Sequence, residues 1–276
     1  MPSAKEPGSS SSAVLTLVKA LGVLEAVAAA NGMTVAEIAN RVGLNRTTTH
    51  RLVQTLKQLH YLQPSNNGRG IEIGLKILPL AAQQLDNNKV RLAALPHLNG
   101  LAQQTGERVN LGVVFDGKLL YLAGVEKPSL PNMYSRFGKL APVHSSSLGK
   151  AIIAQYPEME LRAILTEPLT RYTRNTIIEM DALLADLEET RIRGYAFDDQ
   201  EHVVNEWCIA AAVFDSRGQP VASVGITATN RERALRMVDK VKLTAEVITH
   251  VLSPSRSTVI SITPMANAAG ADTPTG

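Results

Sequence analysis

Residues 34–59 read TVAEIANRVGLNRTTTHRLVQTLKQL, and this stretch decides the class of fold. Thr34 and Glu37 stand three positions apart, the spacing at which a hydroxyl and a carboxylate satisfy each other's free amides at a helix start. Val35, Ile38, Ala39 and Val42 recur at helical spacing, and Gly43 tolerates the positive φ at which a helix stops. A short first helix is predicted. Leu44 supplies an apolar pin for the turn, Asn45 can cap a second helix, and Leu52, Val53, Leu56 and Leu59 form one inward stripe. The other face of that second helix offers Arg46, Thr47, Thr48, His50, Arg51, Gln54 and Lys57, which can bond phosphates and base edges. The pair reads as a helix-turn-helix whose second helix lies in the major groove of double-stranded DNA.

The residues after position 60 extend the motif. Tyr61 and Leu62 lead into the turn-rich residues 64–70 and then Ile71-Glu72-Ile73, so a short hairpin, the wing of a winged helix, is expected after the recognition helix. Arg69 at its tip is placed for a phosphate or the minor groove. Thr47, Thr49, His50 and Arg51 are expected to touch the operator, with Arg46 and Lys57 mainly holding its backbone and Thr34 and Gln54 completing the set. Before the motif, Val14, Leu17, Val18, Leu21, Leu24 and Val27 repeat at helical spacing, a first helix that supports the motif and offers a face to a second subunit.

Charge supports this division. Residues 1–90 carry nine Lys/Arg and five Asp/Glu, a net of +4, and residues 91–276 carry 19 and 20, a net of −1, together the +3 of the whole chain. That N-terminal excess is modest, so paired recognition helices on two half-sites are expected rather than strong non-specific binding. Aromatic residues at 4% argue against a base-stacking platform for RNA or single strands. No apolar run approaches the ~20 residues of a membrane span. The Ser-, Pro- and Gly-rich residues 1–12 lack an export core, and one cysteine excludes an internal disulfide framework. A cytoplasmic protein is expected, with disordered tails at 1–12 and 253–276, a winged helix-turn-helix at 13–74, a linker helix at 75–90 and an effector and oligomerisation domain at 91–252.

That last domain reads as α+β. Residues 109–115 and 118–125 flank Asp116-Gly117, a strong hairpin signal. Helices are predicted at 146–155, 159–164, 177–193 and 232–252, and strands at 195–197, 208–214 and 220–227, giving an antiparallel sheet with helices packed on it.

The chain resembles the IclR family of bacterial transcriptional regulators. The likeness rests on Thr47-Thr48-Thr49-His50-Arg51-Leu52, on residues 142–151 (PVHSSSLGKA), and on Gly194-Tyr195-Ala196-Phe197-Asp198-Asp199 followed by residues 208–215 (CIAAAVFD). It implies a homodimer or dimer of dimers and a GAF-like C-terminal domain that binds a small organic or aromatic acid and so modulates binding to operator DNA. It also implies an effector pocket lined by Ser146, Ser147, Asp198, Cys208, Gly225 and Thr227. Many family members carry a glycine, and often an arginine, shortly before the cysteine, where this chain has Val203-Val204-Asn205-Glu206-Trp207. Catalysis is not expected: there is no G-x-S-x-G elbow and no phosphate-binding glycine loop. Nor is a cofactor or metal, since Asp198, His202 and Cys208 offer a single thiol at no recurring metal spacing.

Overall fold

The computed structural model describes residues 12–30, 32–65, 68, 70–126, 136–165 and 167–253. It divides between Asn88 and Lys89 into two compact units. The disordered tails expected at 1–12 and 253–276 lie outside the described residues, apart from Ser12 and Ser253.

In the first unit α1 (Ser12–Ala28) precedes α2 (Val35–Val42) and α3 (Arg46–Gln58), followed by β1 (Leu62–Pro64), β2 (Ile71–Ile73) and α4 (Ile77–Asp86). The capping box forms as its spacing demands: the Thr34 amide donates to Glu37 Oε2 at 2.7 Å and the Glu37 amide to Thr34 Oγ1 at 3.3 Å. Gly43 ends α2 at φ 65°, and Asn45 Oδ1 accepts the Thr48 amide at 2.8 Å to start α3. The tight turn between the helices is thus fixed from both sides. Val23 and Val27 of α1, Ile38 of α2, and Leu52, Val53 and Leu56 of α3 bury together with Met33, Leu62 and Ile71. Leu59, expected in that stripe, is instead exposed beyond the helix end. β1 and β2 form the antiparallel hairpin, Leu62 opposite Ile73 and Pro64 opposite Ile71. Gly70, at φ 92°, sits so close to Met33 that a Cβ would lie 2.9 Å from its backbone, so the hairpin closes on the α1–α2 connection only with glycine there.

The second unit opens with α5 (Lys89–Thr105), which carries Pro96 inside it. There follow β3 (Arg108–Phe115), β4 (Lys118–Val125), β5 (Leu140–Pro142), α6 (Ser147–Ile153), α7 (Glu158–Ile164), α8 (Met180–Arg193), β6 (Ala196–Asp199), β7 (Trp207–Phe214), β8 (Pro220–Ala228), α9 (Arg231–Leu235) and α10 (Val238–Leu252). The strands form one sheet in the order β5-β4-β3-β8-β7-β6, with every neighbouring pair antiparallel. Asp116 and Gly117 both take positive φ, 49° and 68°, as a tight hairpin of the strands' own twist requires. α6 and α8 share a core with Leu119, Tyr121, Ala196 and Ala210 of the sheet, while α5 and α10 pack on each other and on β3 and β7.

Two elements differ from the sequence pattern. The helix predicted over 232–252 is two helices, α9 capped by Asn230 Oδ1 on the Arg233 amide at 2.8 Å, with Met237 at φ −99°, ψ 0° before α10. No glycine or proline marks that break, so composition gives no sign of it. The helix predicted from 177 starts at Met180, because Ile177 and Ile178 pack against the core ahead of the helix start.

Candidate functional site

On α3, Thr47, His50, Arg51 and Gln54 are exposed and stand at i, i+3, i+4 and i+7, hence on one helical face. His50 Nε2 and Gln54 Nε2 lie 3.4 Å apart. Arg46 is exposed, and Thr48 and Lys57 are partly so. Thr49 does not belong to this face. It is fully buried, and its hydroxyl donates to the Asn45 carbonyl at 3.0 Å, because position 49 falls on the side of α3 that meets the core with Leu52, Val53 and Leu56. Thr34 is exposed, with its hydroxyl engaged in the capping box. Arg69 lies outside the described residues.

The second candidate site follows from strand register. Asp198 lies opposite Cys208, Cys208 opposite Thr227, and Thr227 opposite Arg108, so these four side chains form one row across a single face of the sheet. Two residues along β3 and β8, Asn110 lies opposite Gly225 on the same face. The start of α6 covers this row. The result is a cavity of about 20 Å³ lined by Ser146, Ser147, Asp198, Cys208, Gly225 and Thr227, together with Asn110, Tyr121, Arg136 and His202. All six residues that the sequence nominated converge here. The other lining residues, which also include Leu148 and Ile226, were not nominated: Asn110 is legible only once it is known to face Gly225, and Arg136 stands in a stretch without periodicity.

Two of these residues are already committed within the fold. Ser146 caps α6, accepting the Gly149 amide at 3.2 Å and donating to the Pro142 carbonyl at 2.7 Å, so its hydroxyl is already engaged. At Gly225 a Cβ would meet the Ile209 carbonyl oxygen at 2.4 Å, so its smallness serves the close approach of β7. Cys208 Sγ lies 3.5 Å from Thr227 Oγ1, and burial pushes its thiol well up.

Ionisable groups around the cavity are held in pairs. Lys150 of α6 has no exposed side-chain surface and reaches Glu201 Oε1 at 2.6 Å and Asp186 Oδ2 at 2.9 Å, joining α6 to α8 and to the β6–β7 connection. Burial opposes its charge, and Glu201 and Asp186 outweigh that and hold it above the usual lysine range. Asp198 Oδ1 accepts the amides of Glu201 at 2.7 Å and His202 at 3.4 Å, yet burial, and after it the charge of Glu201, push its carboxyl up to about 7. His202 is held below the usual histidine range, first by burial and then by Arg136, and packs edge-on against Tyr172 at 5.1 Å. Its Nδ1 is buried without a hydrogen-bond partner among the described residues. Arg136 Nη1 donates to Tyr121 Oη at 3.0 Å, and its Nη2 donates to Glu206. Among the described residues no group of His, Cys, Asp and Glu is placed to hold a metal ion, and no helix is long and apolar enough to cross a membrane.

Both units match one family of known proteins. Residues 16–65 match the IclR helix-turn-helix domain and residues 82–256 match the bacterial transcriptional regulator IclR C-terminal domain. The chain belongs to the IclR family. It is 32% identical to the transcriptional repressor IclR of Escherichia coli K12, over 78% of this chain and 80% of that protein. It is 30% identical to the HTH-type transcriptional regulator KdgR of the same organism, over 81% and 84%. Its fold matches the crystal structure of an IclR transcriptional regulator from Alicyclobacillus acidocaldarius with a TM-score of 0.75 at 26% identity, covering 86% of this chain and 98% of the other. This IclR-family member is therefore a transcriptional regulator with an N-terminal helix-turn-helix and a C-terminal ligand-binding domain, and its curated relatives are regulators and repressors, not enzymes.

Proposed function

We propose that this regulator binds its operator through the exposed face of α3, as a homodimer or dimer of dimers, and that a small organic or aromatic acid in the cavity beneath α6 changes operator affinity and so controls a catabolic operon. The observation that carries the effector half is the cavity itself: a small space with one cation, Arg136, among its lining residues, bounded by Tyr121, Asn110, Thr227 and the raised Asp198 carboxyl as well as by Leu148 and Ile226. A cation beside neutral donors suits a carboxylate. An Asp198 carboxyl protonated below about pH 7 adds a donor rather than a repelling charge.

Dimerisation is supported by α1, where Val14, Leu17, Val18 and Leu21 are all exposed and share one stripe at helical spacing. Such a stripe on a DNA-binding unit fits a two-fold mate that sets the distance between recognition helices. α4, which has no buried residue, then acts as the linker expected at 75–90. Effector binding favours one arrangement of the paired units over another, a population shift whose size is limited by the acid's differential affinity for the two.

Fluorescence anisotropy on the DNA upstream of the protein's own coding region, at one salt concentration and with a panel of small aliphatic and aromatic acids, tests the proposal. Competitor-resistant binding altered by one acid supports it. The absence of sequence-specific binding with every acid and without any would refute it.

A further inference from the structure

We propose that Glu206 is an internal competitor for the effector's carboxylate: it occupies Arg136 in the effector-free protein, and acid binding exchanges one carboxylate on that guanidinium for another. This rests on the effector reading and adds to it the residue that sets anion affinity.

The geometry is specific. Arg136 is held on three sides, with Nη1 donating to Tyr121 Oη at 3.0 Å, its guanidinium carbon 5.6 Å from the centre of the Tyr121 ring, and Nη2 donating to Glu206. In that position it stands between the enclosed cavity of about 20 Å³, smaller than any organic acid, and an adjoining cleft of about 410 Å³ that Tyr121, Arg136 and His202 also line and that Glu206 borders. An acid that fills the cavity must therefore take space from the Arg136 side, which is also where its charge is answered.

The exchange leaves no carboxylate stranded. Glu206 also touches Arg108, whose Nη1 lies 3.4 Å from Glu206 Oε1, and Arg108 in turn holds Glu126 at 2.9 Å. When Glu206 gives up Arg136 it keeps Arg108. Asp198, the carboxyl in the cavity wall, is engaged by two backbone amides. The pair is only partly solvated, at 19% and 23% side-chain exposure, so its strength exceeds that of a surface ion pair and its removal is measurable.

Benzoate and the uncharged benzamide are probes of one shape and different charge, titrated calorimetrically into the effector-free protein. Glu206→Gln is expected to tighten benzoate about tenfold, equivalent to about 1.4 kcal/mol, while benzamide changes by less than about twofold. The double variant Arg136→Gln/Glu206→Gln should lose that gain. Benzoate affinity no tighter in Glu206→Gln, or equal tightening of both probes, which would mark a loosened structure in place of a freed cation, overturns the proposal. Direct titration needs no DNA, so failure here is distinct from failure of the effector reading, which would show as operator affinity indifferent to every acid.

Discussion

The outward face of α3 and the cavity beneath α6 both carry polar groups, but they hold them in opposite ways. Arg46, Thr47, His50, Arg51 and Gln54 stand in water on a single helix, where their chemistry stays available until a nucleic acid displaces the solvent. Around the cavity the groups come from β3, β4, α6, β6, β7 and β8 and the connections between them, and their charges are buried and paired. Removing a side chain from the first site should therefore cost binding and leave folding intact, whereas removing one from the second should disturb both.

The largest expected effect is at Lys150. Lys150→Met leaves Glu201 and Asp186 facing each other without their shared cation, and loss of one partner from a buried charge cluster costs roughly 3–5 kcal/mol. A chemical-denaturation midpoint for the second unit that did not move would erase the contrast between the two sites. Next comes Arg51→Ala, expected to weaken operator binding by about 1–3 kcal/mol at fixed salt with an unchanged melting temperature. Thr49→Val, at a buried position, should leave operator affinity within experimental error. If Thr49→Val weakened operator binding as much as Arg51→Ala, the corrected face of α3 would be wrong.

These two positions also show what is legible in the sequence. Both units' elements can be read where a local rule governs: the Thr34–Glu37 box, the Asn45 cap, the Gly43 stop and the Asp116-Gly117 hairpin each depend on neighbours within a few residues. Thr49 falls on the wrong face in a sequence reading because a Thr is chemically suited to either, and only the direction of the core decides between them. The cavity needs more. Asp198, Cys208 and Thr227 come together through strand register over 30 residues of chain, from 198 to 227, and family likeness supplies what periodicity does not. Arg136 and Asn110 are invisible because their roles arise from contacts across the fold, as does the α9–α10 break, which carries no breaker residue.

The remaining predictions are smaller. Asp198 has a folded-state carboxyl raised from 3.8 to about 7, so its contribution to stability is intact below the unfolded value and is lost as pH rises toward about 7, since the unfolded chain releases that proton first. The same ionisation turns a donor into a like charge for a carboxylate, and acid affinity is expected to fall by about tenfold between roughly pH 6 and 8. Asp198→Asn should flatten both profiles, measured by denaturation and by calorimetric titration of the acid that shifts operator binding. An unaltered slope in the variant would mean that another group titrates there. Asn45→Ala comes last, costing about 1 kcal/mol through loss of the α3 cap, read as a shift in the first unit's unfolding transition with the second unit's unchanged.

Coupling between the two sites is tested most directly by reciprocity. Titrating the acid that shifts operator affinity into the free protein and into the protein–operator complex should change the acid's dissociation constant by the same factor by which the acid changes the operator's, because coupling free energy belongs to both sites equally. An acid affinity identical in the presence and absence of operator would mean that the cavity and the α3 face are not linked, and the regulator does not work as proposed.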